Sequence, residues 1–409
     1  MDFSDTPDEA AFRAEVRAFL AANAEQKSVE KSALSPVDVD GHVARAKAWQ
    51  RKKHDAGFAA ITWPESFGGR ALSPIFDVIY KQEEEHYLVP AGVYEIGLGM
   101  CIPTLMKHGD AQFVKPYVER AITGEEIWCQ MFSEPASGSD LAGLRTRAVR
   151  EGDEWIINGQ KIWTSGAHFC DYGVIVTRSD PDVPKHMGLS YFFLDMRSPG
   201  IEIRPIHQIS NERNFNEVYF TDVRVPDSQR LGDVGQGWQV ALTTLMNERL
   251  AVGGPRPPDF EDIFRLVRNL DLEDGPAVDD SVVREKLADW YVQQQGLKYT
   301  QFRTMTALSR GQTPGPEASI GKLVSAQKMQ EIALFALDLL DESGASADPE
   351  VAPMDGVFHL GMMRSPAMRI AGGSDEILRN IISERVLGMP GDIRVDKDVA
   401  FRDLPSGKR

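Results

Sequence analysis

The spacing of apolar residues changes twice along this chain, and that change limits the folds it can adopt. From about residue 7 to 120 the spacing is helical, and EAAFRAEVRAFLAAN places Phe12, Val16 and the pair Phe19–Leu20 on one face. From about 127 to 230, short apolar runs alternate with Asp, Pro, Ser and Gly, as in strands. Helical spacing then resumes to about residue 388. The order predicts an α+β fold.

Six apolar runs of the central region are predicted to form strands. Asn158 and Gly159 separate two apolar-rich runs, and Asn-Gly is typical of a tight hairpin, so we expect a turn at this pair. The other runs are YGVIVTR (172–178), LSYFFLDM (189–196), IEIRPIHQI (201–209) and NEVYFTDVRVP (216–226).

Charge and cysteine usage limit the compartment and the partners. The formal net charge of −16 argues against a nucleic-acid partner. Three cysteines without a CxxC pair fit a reducing compartment. The start MDFSDTPDEAAF lacks the basic region of a signal peptide, and no apolar run reaches the roughly 18 residues that span a bilayer. We therefore expect a cytoplasmic protein with no membrane span.

Common phosphate and metal motifs are missing from the sequence. It contains no GxxxxGK[ST] loop and no GxGxxG after a strand, and GDVGQG (232–237) is better interpreted as a turn before a helix. The segment EEEH (83–86) is typical of a solvated helix face, so no metal site is expected.

Two segments could contact a flat polar ligand. QMFSEPASGSDL (130–141) offers backbone N–H groups and the hydroxyls of Ser133 and Ser139, although such a stretch alone is usually a connecting loop. KIWTSGA (161–167) offers an indole beside two hydroxyls, although a lone tryptophan usually lies in a core.

A third segment carries a carboxylate inside an apolar stripe. In WQVALTTLMNERLAVGG (238–254), helical spacing places Ala241, Leu245 and Glu248 on one face. Burial raises the pKa of a carboxyl group, which suits a general base near neutral pH. The alternative is a structural ion pair with an arginine.

Taken in order, these segments resemble the acyl-CoA dehydrogenase family over about residues 10–390. WPESFGGR (63–70) resembles the family's WPxExGG signature, and RIAGGSDEILRNIISERVLGMP (369–390) completes the set. The resemblance implies an N-terminal helical domain, a middle β-barrel-like domain and a C-terminal four-helix bundle. The last residues, DKDVAFRDLPSGKR (396–409), are expected to form a loose tail. The corresponding boundaries are 1–126, 127–232, 233–390 and 391–409.

The resemblance also implies a site for FAD and an acyl-CoA thioester. Family members remove the α proton with a carboxylate while the flavin accepts the β hydride, and a flavin ribityl hydroxyl and a backbone N–H polarise the thioester carbonyl. Ser139 would face the CoA, and Arg249 the thioester. The implied cofactor contacts are Gln130, Met131, Phe132, Ser133, Trp163, Thr164, Ser165, Ser374 and Glu376.

The catalytic base is expected at Glu248. Many family members place a glutamate before a Gly-Thr/Ser pair, and counting back from Arg379 that position is Gly372 here. A minority branch places the glutamate on the helix after the β domain, just before an arginine, which matches Glu248. We expect the Gly372 N–H to polarise the carbonyl and its missing side chain to make room for a bulky acyl group. Glycines in AGVYEIGLGMCIPTLM (91–106) also suggest space for that group.

Two departures from the family bear on its partners. The usual RxxFG segment is replaced by LVRNLDLEDGPAVDD, where Arg268 is a poor substitute, and the GGxGY-type segment by LDESGASADPE. Either a homotetramer or an α2β2 heterotetramer of the kind used in steroid side-chain breakdown is compatible, with an electron-transfer flavoprotein as acceptor. The alternatives are an oxidase on the same scaffold, a non-catalytic partner subunit and a carrier-protein-linked dehydrogenase.

Overall fold

A computed structural model describes most of the chain as helices flanking one sheet. The described ranges are 5–27, 39–251, 257–309, 315–348, 351–393 and 396–405. None of their helices is both long and apolar enough to cross a membrane. The helices in these ranges are α1 (Pro7–Asn23), α2 (Val39–Asp55), α3 (Pro74–Glu84), α4 (Ile102–His108), α5 (Ala111–Ile122), α6 (Gly237–Ala251), α7 (Phe260–Arg268), α8 (Ser281–Ser309), α9 (Ala318–Leu340), α10 (Val357–Met368) and α11 (Asp375–Ile381).

The strands between Trp128 and Leu231 form a single eight-stranded sheet, in the order β10-β7-β6-β4-β5-β9-β8, with β3 pairing beside β6. Most neighbours are antiparallel, whereas β3 runs parallel to β6. The helix–sheet–helix order confirms the predicted α+β class. The strands are β1 (Glu25–Gln26), β2 (Tyr87–Leu88), β3 (Trp128–Met131), β4 (Arg147–Glu151), β5 (Glu154–Ser165), β6 (Tyr172–Arg178), β7 (Leu189–Asp195), β8 (Ile201–Pro205), β9 (Phe215–Pro226), β10 (Arg230–Leu231), β11 (Asp271–Leu272) and β12 (Gly275–Pro276).

The predicted hairpin at Asn158-Gly159 is wrong. Both residues lie inside β5, and the β4–β5 turn is made instead at Gly152, which has a φ of +63°. Gly159 sits at a register shift in the β5–β9 pairing with a φ of +151°. A Cβ atom there would come within 2.5 Å of the Thr146 Oγ1 atom. The glycine therefore marks a bulge and a close approach between strands.

The N-terminal helices form their own core. α1 begins with a capping box in which Thr6 and Glu9 satisfy each other's backbone N–H groups. Its face of Phe12, Val16 and Leu20 is buried against α3, as the apolar spacing predicts.

Helix α6 is fixed between the sheet and α4 by a buried hydroxyl network. The Thr244 hydroxyl lies 2.9 Å from both the Thr104 hydroxyl and the Tyr191 hydroxyl. Ala241 is fully buried in the same core, and Leu245 packs against it. The predicted inward face of α6 is thus confirmed at these positions.

The C-terminal helices enclose a separate core. α7, α8, α9 and α10 bury residues such as Ile263, Trp290, Ile332 and Phe358. Arg364 of α10 pairs with Glu212, which precedes β9, so this bundle is joined to the sheet region by an ion pair.

The C-terminal segment is not the loose tail that the sequence suggests. Residues 396–405 dock on the loop after β6, where the Phe401 N–H donates to the Val183 carbonyl at 2.9 Å. The Asp396 carboxylate lies 2.6 Å from Lys185 Nζ. The docking could not be predicted from the segment's own residues, because the partners of Phe401 and Asp396 lie more than 200 positions earlier in the chain.

Candidate functional site

The two segments predicted to border a flat ligand lie side by side. The Ser133 carbonyl, just after β3, accepts a hydrogen bond from the Ile162 N–H of β5 at 2.9 Å. This contact joins the stretch Gln130–Ser133 to the stretch Trp163–Ser165.

A bulge in β5 turns Trp163 outward. The β5–β9 register shifts between Lys161 and Thr164, and Trp163 has a φ of +60°, an uncommon value for an aromatic residue. Its indole is 55% exposed and contacts the edge of Phe215. Bulges commonly re-aim a side chain at a binding site, and this one presents an indole at the surface of the sheet.

Thr164, the next residue, carries an unused hydroxyl. Its side chain is 1% exposed, and its Oγ1 atom has no hydrogen-bond partner among the described residues. Its carbonyl accepts from Asn216 Nδ2 at 2.9 Å, which fixes the local backbone. Since buried polar groups are nearly always paired, this oxygen points to a missing ligand.

A buried ion pair that the sequence analysis missed holds both segments. Lys161 is fully buried, and its Nζ donates to the Phe132 carbonyl at 3.0 Å and to Glu134 at 2.9 Å. The Glu134 carboxylate also accepts from the Arg145 and Thr146 N–H groups. The one sign of this pair in the sequence is the charged Lys161 within an apolar-rich run that is predicted to form a strand.

The pKa values of this pair reflect burial and mutual attraction. Burial alone raises the pKa of Glu134, but the Lys161 ammonium and the hydrogen bonds bring it below its ordinary value. Burial lowers the pKa of Lys161, and Glu134 offsets part of that decrease. The pair therefore connects β3, β5 and the start of β4 through a carboxylate that favours its charged form.

The β3 side contributes its backbone more than its side chains. Met131 and Phe132 are 0% and 6% exposed and belong to the two cores on either side of the sheet. Only Gln130 and Ser133 are partly exposed in this stretch. Any ligand contact at Met131 and Phe132 must therefore come through their peptide groups.

A second region contains the paired glycines. Gly372 and Gly373 have φ values of +65° and +94°, which non-glycine residues rarely adopt. The Gly373 carbonyl accepts from Lys322 Nζ at 2.6 Å. The backbone of this turn is thus set by glycine geometry and by one lysine from α9.

Ser374 and Glu376 already have a local role. Ser374 Oγ caps α11 by accepting from the Ile377 N–H at 3.4 Å. Glu376 is exposed in the first turn, where its own backbone N–H and Ser374 lower its pKa. The described residues show no direct hydrogen bond between these residues and the Trp163–Ser165 stretch.

Two predicted residues lie at the end of α6. The side chains of Glu248 and Arg249 lie outside the described residues, although the backbone of α6 runs to Ala251. Position 248 follows the buried Thr244 by four residues, which is about one helical turn.

The remaining predicted residues are dispersed. Ser139 is exposed in the loop between β3 and β4, beside Asp140, which pairs with Lys185 at 3.0 Å. Gly97, expected to leave space, instead approaches Trp128 so closely that a Cβ atom would lie 3.2 Å from the tryptophan Cβ. Its missing side chain therefore serves packing.

Models of known protein families match most of the chain. The N-terminal, middle and C-terminal acyl-CoA dehydrogenase domains match residues 6–125, 129–223 and 235–387. The chain belongs to the acyl-CoA dehydrogenase family. The resemblance inferred from the motifs is confirmed, as is the enzyme class.

Three acyl-CoA dehydrogenases are instructive relatives. Acyl-CoA dehydrogenase FadE34 of Mycobacterium tuberculosis is 34% identical over 88% of this chain, which spans 49% of that protein's length. A chain of the ChsE4–ChsE5 complex from the same organism is 26% identical, with a TM-score of 0.79 over 96% of this chain and 100% of that one. The Tcur3481–Tcur3483 steroid ACAD is also 26% identical, with a TM-score of 0.77 and the same coverage.

Proposed function

We propose that this chain binds FAD and catalyses α,β-dehydrogenation of an acyl-CoA thioester. The observation that carries the proposal is the Trp163–Thr164 pair, which presents an exposed indole beside a buried hydroxyl that has no partner in the described ranges. A flavin ring has a flat face that can pack on an indole and polar edge atoms that can bond a hydroxyl. The residues present therefore fit this cofactor.

The chain offers contacts for the cofactor from two regions. Thr164 Oγ1, the Ser133 and Ser165 side chains and the peptide groups of Gln130, Met131 and Phe132 serve on the sheet, with Trp163 packing beside the ring. Ser374 and Glu376 serve from the start of α11. When bound, FAD supplies the acceptor for the β hydride of the substrate.

The proton chemistry is assigned to the chain's own residues. The Glu248 carboxylate removes the α proton, and the Gly372 N–H donates a hydrogen bond to the thioester carbonyl oxygen as negative charge develops there. Arg249 is placed near the thioester and Ser139 near the CoA. An α proton becomes acidic enough for a carboxylate only if the carbonyl is polarised, so both groups are required.

The acyl group and the assembly are proposed from the relatives. A bulky substrate such as a steroid side-chain acyl group agrees with the likeness to a steroid ACAD and with the absence of a side chain at Gly372. An α2β2 assembly agrees with the likeness to the two-component ChsE4–ChsE5 complex. It also agrees with the replacement of the family's RxxFG segment, where Arg268 packs on Phe264 at 5.8 Å instead. Electrons pass to an electron-transfer flavoprotein in this proposal.

The test is flavin content and substrate-dependent bleaching. The protein is purified alone and after co-expression with a second acyl-CoA dehydrogenase chain from its own genome, and acyl-CoAs of increasing bulk are added without oxygen. We expect FAD to co-purify and its absorbance to fall with a bulky acyl-CoA. FAD retained only in the co-expressed sample supports the α2β2 assembly. A preparation without flavin under both conditions refutes the proposal.

A further inference from the structure

A groove of about 420 Å³ lies between β4, the end of β6 and the docked C-terminal segment. Four arginines line it: Arg145, Arg147, Arg150 and Arg178. Such a concentration of positive charge stands out on a chain whose formal net charge is −16. Its volume lies within the roughly 300–1,000 Å³ typical of small-molecule sites.

The C-terminal segment forms one wall of the groove. The Phe401 ring stacks on the Arg178 guanidinium, with its centroid 3.8 Å from Cζ, and Arg145 lies 5.5 Å from the same ring. The Arg402 N–H donates to the Pro181 carbonyl at 3.0 Å, which anchors the segment. The segment therefore contributes Phe401 to a groove whose other lining residues come from the sheet and the loop after β6.

The buried Arg178 guanidinium has no direct carboxylate partner among the described residues, although the charges of Glu134, Asp140 and Asp180 act to raise its pKa. Arg178 is 3% exposed and donates to the carbonyls of Lys185 and Ala142, while its Nε has no partner in the described part of the chain. Burial lowers the Arg178 pKa to about 10, so the group still carries its charge at neutral pH.

Two of the three neighbouring arginines add charge that has no ion-pair partner among the described residues. Among the described residues, neither Arg145 nor Arg147 forms an ion pair, and Arg150 lies 3.8 Å from Asp227, which is already held by Arg230 at 2.8 Å. The fully buried Lys161, by contrast, has its carboxylate at 2.9 Å. The groove thus offers donors to an anion from outside the chain.

We propose that this groove binds a ligand with phosphoryl groups, in particular the diphosphate of a nucleotide. Guanidinium groups match phosphate oxygens in two-pronged hydrogen bonds, and Arg145 and Arg147 are exposed alternate residues on one face of the chain at the start of β4. The diphosphate belongs either to a free nucleotide or to the ADP end of a CoA thioester. The CoA source rests on the proposed function, whereas the groove itself does not.

The test titrates inorganic pyrophosphate into the purified full chain by calorimetry. Wild type is compared with Arg147→Gln, and with Arg204→Gln as a control, because Arg204 is an exposed arginine on β8 paired with Glu202. We expect saturable binding that Arg147→Gln weakens about tenfold and Arg204→Gln leaves unchanged. Absent binding in wild type, or equal weakening in both variants, overturns the proposal.

A second experiment identifies the source of the diphosphate. The same variants are assayed with an acyl-CoA and with the matching acyl-pantetheine, which lacks the ADP end. A higher KM of Arg147→Gln for the acyl-CoA alone assigns the groove to CoA. An unchanged KM together with weakened pyrophosphate binding assigns it to a free nucleotide. If the chain proves inactive, the pyrophosphate titration still decides whether the groove binds phosphate.

Discussion

The two regions assigned to the active site are held in place in different ways. On the sheet, Trp163 and Thr164 lie in β5, which is fixed by a fully buried Lys161–Glu134 pair and by Asn216. At the start of α11, Gly372 and Gly373 depend on their own left-handed backbone and on a hydrogen bond from Lys322.

The two regions should therefore differ in how much stability a substitution costs. A buried ion pair among sheet strands tolerates little change, because removing one partner leaves an uncompensated charge. The glycine turn contains no such ion pair, so a substitution there costs mainly the strain of a side chain on a left-handed backbone. We infer that a substitution in the buried pair costs more stability than one in the glycine turn.

Breaking the buried pair should have the largest effect. Lys161→Met leaves Glu134 buried without its cation, so we expect a loss of about 3–5 kcal/mol in the free energy of unfolding. Glu134→Gln with Lys161→Met removes both charges and should recover part of this loss. Urea denaturation followed by circular dichroism measures all three proteins. Equal stability of the single variant and wild type would show that the pair is not a structural clamp.

Thr164→Val separates cofactor binding from stability. Because the Thr164 hydroxyl bonds to none of the residues that the structure describes, we expect the apoprotein to keep its stability while the Kd for FAD rises roughly tenfold, or ~1.4 kcal/mol. Thr177→Val is the matched control, since the buried Thr177 hydroxyl donates to the Ser190 carbonyl at 3.3 Å. Flavin fluorescence titration should show altered FAD affinity in Thr164→Val alone. An unchanged FAD affinity in Thr164→Val contradicts the assignment.

Gly372→Ala tests the glycine turn. A Cβ atom at a φ of +65° costs about 1 kcal/mol, so the melting temperature should fall by a few degrees or less. Gly296→Ala, in the middle of α8 with open space around it, should instead stabilise by roughly 0.5–1 kcal/mol. Calorimetric melting compares the two. A stabilised Gly372→Ala would mean that the turn does not need glycine.

The smallest expected effect is on how the free energy of unfolding depends on pH in acid. Glu212 is held by Arg364, and although burial raises its pKa, that ion pair and Ser210 bring the pKa below its ordinary value. Its stabilisation is therefore complete above the unfolded value of about 4.3 and is lost as the pH falls through the lower folded value. Glu212→Gln should flatten this part of the stability-against-pH curve. A curve that keeps its slope assigns the acid sensitivity to other carboxylates.

Periodicity predicted the fold well where contacts are local. The four runs from 172 to 226 become β6 to β9, and the inward face of α1 is buried at Phe12, Val16 and Leu20. Asn158-Gly159 misled because the pair packs against Thr146 on the neighbouring strand, and a pairing across strands is invisible in local sequence.

The candidate site could be predicted from the sequence only where its residues form a local motif. Trp163 and Thr164 belong to a recognisable motif, but their support by Lys161 and Glu134 joins positions 27 residues apart. The groove is even harder to predict from the sequence, because Arg178 and Phe401, which are in contact, are separated by more than 200 residues. Such contacts arise from topology, which residue types alone do not specify.

In the proposed mechanism the catalytic base lies on α6, and Gly372 contributes only its backbone. The most direct test of this mechanism is anaerobic flavin bleaching by a bulky acyl-CoA in wild type, in Glu248→Gln and in the control Glu285→Gln on the exposed face of α8. We predict that Glu248→Gln retains FAD and loses bleaching, while Glu285→Gln behaves as wild type. Undiminished bleaching in Glu248→Gln would contradict the account.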